Sequence, residues 1–167
     1  AKVITVAQLG GDCHPSTPIG INLPNADWIR KEHGSKSVTM DNITYAYDQA
    51  SLGNGFLEEF CATQEEIDRA KKYGYMAGNI HTDLHECLGH GSGQLLPGTS
   101  PEALKNYGSA LEESRADLFA LYYIWSPKMQ ELGLLPEREA AMAEYDGFIR
   151  NGLMTQLTRI EPGKNIE

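Results

Sequence analysis

Apolar and polar positions along the chain sort into a few short extended stretches followed by long helical ones. Lys2–Leu9 alternates loosely and is rich in β-branched residues, which predicts a strand. Gly10–Gly20 is a Gly/Pro-rich loop, Asn25–His33 reads as a short helix stopped by Gly34, and Val38–Tyr47 reads as extended. Thr63-Gln64-Glu65-Glu66 has the form of a capping box, a hydroxyl residue followed three positions on by Glu. It predicts the start of a long helix carrying Ile67, Ala70 and Tyr73-Gly74-Tyr75 towards His85, ended by the Gly-rich stretch Gly89–Gly98. Ser100-Pro101 opens another helix, with proline at the first helical position. A helix from Ser109 to Trp125 is interrupted by Ser126-Pro127, and Pro136–Arg159 is a final long helix with Gly147 and Gly152 as weak points. There is no internal repeat and no low-complexity segment. The expected fold is mainly α with minor β, in a single domain over residues 1–167.

Composition narrows the class. A 41% hydrophobic and 22% charged chain of 167 residues can bury one ordinary soluble core. Tyr122, Tyr123 and Trp125 are expected in that core, and the charges of Glu131–Glu144 on a solvated helix face. A formal charge of −9 argues against nucleic acid, which needs clustered Lys and Arg. The three cysteines, Cys13, Cys61 and Cys87, form no C-x-x-C pair, so neither a disulfide framework nor a thiolate metal site is expected and a reducing, cytoplasmic compartment is. No signal peptide and no membrane-spanning apolar run is visible.

The chemistry concentrates in His85-Glu86-Cys87-Leu88-Gly89-His90. It is close to the zinc-peptidase signature H-E-x-x-H, in which two histidines at i and i+4 share a metal and the Glu is a general base, but it holds one residue more. At i and i+5 on an α-helix, His85 and His90 would point about 140° apart. A π-type turn, with i→i+5 hydrogen bonds, returns them to one face. Gly89 offers no Cβ to resist it. By spacing alone His81 and His85, at i and i+4, are an equal rival, although no Glu adjoins His81. The tie breaks downstream, at Leu111-Glu112-Glu113-Ser114-Arg115-Ala116-Asp117. Three carboxylates beside the apolar run Leu118–Trp125 call for a compensating cation or hydrogen bonds. A carboxylate from a second helix is a common third ligand of a catalytic zinc. Arg115 partly neutralises the cluster. Taken by itself, the segment is equally well read as a solvated acidic helix start.

These two segments in order, with Gly91-Ser92-Gly93 after the first and Gly20-Ile21-Asn22-Leu23-Pro24-Asn25 upstream, resemble the dipeptidyl peptidase III family of zinc exopeptidases, and its bacterial branch in particular. The family carries H-E-x-x-G-H, E-E-x-R-A-E/D and G-I-N-x-P-N segments, so the resemblance covers at least residues 18–120. It implies that His85, His90 and Glu113 hold one zinc ion per chain and that Glu86 is the catalytic base. It implies further that Glu112 and Asp117 are the carboxylates behind the ligand imidazoles, and that Asn22 and Asn25 hold the free amine of the peptide. From sequence alone, both asparagines read equally as turn chemistry around Pro24. The implied fold is the helical, zinc-bearing lobe of a two-lobed metallopeptidase, and at this length the chain is expected to be a fragment of it. Its partners would be short peptide substrates and the remaining lobe of the full-length enzyme. The expected reaction is release of dipeptides from peptide N-termini, weak or absent in the fragment alone. An unrelated zinc endopeptidase and a non-catalytic metal-binding or interaction domain are the alternatives.

Overall fold

The computed structural model describes residues 1–8, 10, 18–24 and 26–164. Asn25 and Cys13 lie outside the described residues. Three strands, β1 (Lys2–Ile4), β2 (Gly20–Leu23) and β3 (Lys36–Met40), form one sheet in the order β1-β3-β2. β1 runs parallel to β3, with Lys2 opposite Val38, and β2 runs antiparallel to it, with Ile21 opposite Val38. The helices are α1 (Asp27–His33), α2 (Asp41–Ser51), α3 (Phe56–Phe60), α4 (Gln64–Leu84), α5 (Gly108–Ile124), α6 (Lys128–Glu131) and α7 (Arg138–Asn151). A π-helical segment, His85–His90, continues α4 directly, and a 3₁₀ segment, Pro101–Tyr107, leads into α5. The architecture is mainly helical with a small sheet, as the sequence pattern implies.

α4 is the spine. Its start is the expected cap: Thr63 Oγ1 accepts from Glu66 N at 3.2 Å, and Glu66 Oε2 accepts from Ala62 N at 2.9 Å, one residue before the cap. Tyr73, Ala77, Ile80 and Leu84 recur at helical spacing along one face, which packs on α5 and α7. The opposing surfaces are largely alanine: Ala116 and Ala120 on α5, and Ala140, Ala141 and Ala143 on α7, all buried. Small side chains let the helix axes come close, so polar groups on facing helices can meet across the interface.

Several expectations are corrected. Val38–Tyr47 is not one extended segment: the strand ends at Met40 and α2 begins at Asp41. The β-branched residues Thr39, Ile43 and Thr44 suggested a strand, but Asp41 sits in the first turn, where the helix dipole favours it. Tyr75 on α4 donates to its carboxylate at 2.5 Å, and Asn42 ties α2 to Val6 through two 2.9 Å hydrogen bonds. The strand expected over Lys2–Leu9 is only Lys2–Ile4. The final helix is regular only to Asn151 and then loosens into π and 3₁₀ turns from Gly152 to Arg159. Tyr122 is not core but 73% exposed, and Tyr123 and Trp125 are half-exposed. The reason is register: Ala116, Ala120 and Ile124 form the inward stripe of α5, which turns Leu118 and Tyr122 outward. Nor is Glu144 on a solvated face. Its side chain is buried against His81.

Near the start of α4, buried Arg150 of α7 contacts the Glu66 carboxylate and donates to Cys61 Sγ at 3.0 Å. Burial alone would push the Glu66 carboxyl up, but hydrogen bonds from Ala62, Cys61 and Arg150 outweigh it and hold it below 4.5. Glu66→Gln leaves the guanidinium buried without its counter-charge, and should cost about 3 kcal/mol at neutral pH. Because the folded-state pKa is depressed, this contribution is complete above the unfolded value and is lost as pH falls through the folded one. Urea unfolding of both proteins should therefore show a gap at neutral pH that closes as the pH falls below the ordinary carboxylate range. An undiminished gap in acid contradicts the assignment.

Candidate metal centre

At the end of α4 the backbone changes pitch. Gly91 N donates to the carbonyl of Glu86, five residues back, at 3.2 Å. The wider π turn brings His85 and His90 together, with their Nε2 atoms 3.0 Å apart. Gly89 has a stronger reason than flexibility for its place here. A Cβ on Gly89 would lie 2.6 Å from both Cα and Cβ of Ala116, so its absence lets the π segment seat directly on α5.

α5 supplies the carboxylates. Asp117 Oδ1 lies 2.7 Å from His85 Nδ1, and Glu112 Oε1 lies 3.0 Å from His90 Nδ1. A carboxylate only accepts, so each Nδ1 carries a hydrogen, and in the neutral ring each Nε2 then presents a lone pair. Two lone pairs facing at 3.0 Å repel unless positive charge lies between them. Glu113 completes the set, with its oxygens 3.3 Å from His85 Nε2 and 3.5 Å from His90 Nε2. Three donors sharing one tetrahedral zinc at about 2.0–2.2 Å stand roughly 3.3–3.6 Å from one another. The two Glu113 distances, one from each oxygen, fall in that range and the Nε2–Nε2 distance lies slightly below it, close to what one shared metal ion requires.

A second group, His81, His85 and Asp117, also clusters its donor atoms within 4.8 Å. It is the poorer site. His81 Nε2 lies 3.3 Å from Asp117 Oδ1, and Nδ1 lies 3.0 Å from Glu144 Oε1, off the line of a hydrogen bond but in close ionic contact. With carboxylates at both ring nitrogens, His81 keeps no lone pair for a metal. Burial disfavours its charged form, but Asp117 and Glu144 outweigh that and raise its pKa to about 9. Burial likewise opposes ionisation of Asp117, yet the hydrogen bonds from His81 and His85 hold its carboxyl far below the usual range.

Side chains add donors to the carbonyls at the π-helical end, two of which already accept from backbone, Glu86 O from Gly91 N at 3.2 Å and Gly89 O from Ser92 N at 3.3 Å. Asn22 Nδ2 and Ser37 Oγ, from β2 and β3, donate to Glu86 O at 3.0 and 3.2 Å. Arg115 donates to Gly89 O at 2.7 Å while forking onto Glu112 at 2.7 and 2.9 Å, and Arg30 donates to His90 O at 3.1 Å. Hydrogen bonds to Glu112, chiefly from Arg115 and His90, outweigh burial and lower its pKa. Glu86 itself is 6% exposed, with Oε2 unpartnered among the described residues. Burial pushes its carboxyl up, against the pull of His85 and His90. Gly20 on β2 makes room for it, since a Cβ there would come within 2.6 Å of Glu86 Oε1.

The structure thus brings His85, His90, Glu112, Glu113 and Asp117 together, with Glu86 and Asn22 alongside. Sequence reasoning missed Ser37, Arg30 and Glu144, none of which lies in a recognisable motif. It also left open what Arg115 does beyond neutralising acids: the guanidinium locks Glu112 and caps Gly89 at once.

A chain with a buried Glu beside a two-histidine, one-carboxylate cluster has the makings of a hydrolase, and comparison with known proteins agrees. The sequence matches peptidase family M49 over residues 11–107, more than half its length, and the chain belongs to that family. It is 32% identical over 121 residues to dipeptidyl peptidase 3 of Nematostella vectensis, covering 69% of this chain and 16% of that protein. It is 29% identical over 148 residues to dipeptidyl peptidase 3 of Mus musculus, covering 69% of this chain and 19% of that one. The solved structure of DPP III from Caldithrix abyssi superposes with a TM-score of 0.59 at 28% identity, covering 81% of this chain and 25% of that one. The chain therefore spans under a fifth of these curated relatives and a quarter of the solved one. Among the described residues no helix is long and apolar enough to cross a membrane.

Close seating of the π segment on α5 makes a direct prediction. Gly89→Ala forces a methyl into Ala116 and should cost about 1–3 kcal/mol in urea unfolding, as overpacking does. Adding Ala116→Gly should recover part of that loss. If the double variant were less stable than the sum of the two single changes, the contact would not be the cause.

Proposed function

We propose that residues 1–167 are one domain, the metal-holding helical lobe of a zinc-dependent dipeptidyl peptidase that removes dipeptides from the N-termini of short peptides. The observation that carries this reading is the pair of Nε2 atoms at 3.0 Å, each with its Nδ1 against a carboxylate, and Glu113 within 3.5 Å of both. His85, His90 and Glu113 would hold one zinc ion. Asp117 and Glu112 fix the tautomer and the aim of the two imidazoles. When bound, zinc supplies Lewis acidity, polarising a carbonyl and making water acidic near neutral pH.

The chain's own residues carry the proton. Glu86 is held beside the cluster with Oε2 unpartnered, and its raised pKa suits a group that takes a proton from attacking water and returns it to the leaving amine. Its backbone is pinned by Asn22 and Ser37, so the carboxyl has a fixed origin. Asn22 has a second capacity. The Glu86 carbonyl only accepts, which sets Nδ2 towards it and leaves Oδ1 as a buried acceptor without a partner among the described residues. Oδ1 is the atom we assign to the peptide's N-terminal ammonium, with Asn25 as the second such group. The remaining lobe of the two-lobed enzyme would close the cleft and complete the substrate site, and a reducing, cytoplasmic setting suits the unpaired thiols.

Side-by-side measurement of zinc affinity in this chain and of dipeptide release in the two-lobed enzyme separates the roles. Glu86→Gln should keep zinc and lose about 10²–10⁴-fold in turnover. Glu113→Gln should lose zinc, and Asp117→Ala should weaken it by roughly 10–100-fold. Zinc stoichiometry should collapse in His90→Ala and survive His81→Ala. If Glu86→Gln lost zinc as badly as Glu113→Gln, Glu86 would be a ligand and the mechanism would fall. A free amine should be required: acetylating the peptide N-terminus should abolish cleavage, whereas an endopeptidase would cut the blocked peptide equally well.

A further inference from the structure

His81 is the one histidine of the cluster that the proposed ligand set leaves without a task, and it is the better buried, at 8% exposed. It lies one helical turn before His85 on α4, its ring stacked on Phe148 of α7 at 5.4 Å and on the His85 ring at 6.4 Å. Its Nε2 addresses Asp117 Oδ1 at 3.3 Å, the same oxygen that meets His85 Nδ1 at 2.7 Å. Its other nitrogen faces Glu144 of α7 at 3.0 Å, and that carboxylate side chain is only 12% exposed. Glu144, His81, Asp117 and His85 therefore form a line across the α7–α4–α5 interface, ionic at Glu144 and hydrogen-bonded at Asp117.

Resting on the metal reading above, we propose that His81 is a positioning residue: anchored by Glu144 and Phe148, it fixes the Asp117 carboxylate so that Asp117 in turn aims His85 at the metal. Asp117 sits on the edge of the cluster, with its side chain 36% exposed, and one imidazole alone leaves its carboxylate free to rotate. A second donor on the same oxygen removes that freedom. His81 thus resembles a metal ligand in the sequence because it must share a helix face with His85 to reach Asp117, and its lone pairs are spent on that work.

The test is zinc affinity, measured by competition with a chromophoric chelator, together with the visible spectrum of the Co²⁺-loaded protein and the urea midpoint for each variant. Gln keeps a donor near the place of Nε2, and Leu does not. His81→Leu should weaken zinc roughly tenfold, the low end for groups behind a metal ligand, and shift the Co²⁺ bands, while His81→Gln stays within about threefold of the parent. Glu144→Ala should weaken zinc by a smaller factor than His81→Leu. In an Asp117→Asn background, His81→Leu should have almost no further effect on affinity, because the two act through one bond. Equal losses in His81→Gln and His81→Leu, unchanged affinity in a folded His81→Leu, or losses that multiply in the double variant would each overturn the proposal. Should His81→Leu not fold, parental affinity in Glu144→Ala overturns it. A parent chain that binds no zinc would instead bring down the metal reading itself.

Discussion

Two imidazole nitrogens 3.0 Å apart, each on a ring whose other nitrogen is turned to a carboxylate, constrain everything around them. Such a pair stays together only around positive charge. Holding it asks for three departures from ordinary helix packing. The backbone must widen to a π turn so that residues five apart share a face. The neighbouring helix must come close enough for Glu112, Glu113 and Asp117 to reach the rings, which Gly89 against Ala116 permits. The end of the distorted helix must be held in place, and Asn22, Ser37, Arg30 and Arg115 add donors to its carbonyls.

Seen this way, the small sheet is less a separate layer than a bracket. β2 and β3 carry the two donors that seize the Glu86 carbonyl, and Gly20 at the edge of β2 lets the Glu86 carboxyl lie against the strand. Sheet and acid–base group are thereby one mechanical unit. The helices supply the opposite wall. The alanine-rich faces of α5 and α7, packed on α4, bring Glu144, His81 and Asp117 into line behind His85, a polar path that a bulkier core would have kept apart. Each carboxylate in it faces a basic partner, as burial of that much charge requires. The cost of the arrangement falls on local regularity, and the gain is a histidine whose orientation is set from three helices.

Much of the centre was legible before any coordinates, because it is written in local spacing. The i, i+5 interval of His85 and His90 calls for a π turn if both are to share a face, and the helix does widen there; Thr63 with Glu66 marks the start of α4 by cap chemistry. What sequence could not convey depends on tertiary register. That Tyr122 faces outward while Ala120 is buried follows from which stripe of α5 meets α4, and an apolar run does not say which stripe. Val38–Tyr47 misled because β-branched residues signalled strand, whereas Asp41 and its contact with Tyr75 tip the second half into helix. Glu144 looked like a surface charge since nothing near it in sequence announces His81, more than sixty positions away. Gly89 was legible as permissive and turned out to be required, by a neighbour that only the fold supplies.

The account turns on which group of donors takes the metal, and anomalous diffraction at the zinc edge from zinc-loaded crystals measures that directly. A single peak bounded by His85 Nε2, His90 Nε2 and Glu113 is the expected result, with the π turn retained and His81 still between Asp117 and Glu144. A peak between His81, His85 and Asp117, or a helix that relaxes to i→i+4 bonding through both histidines with zinc in place, would contradict it.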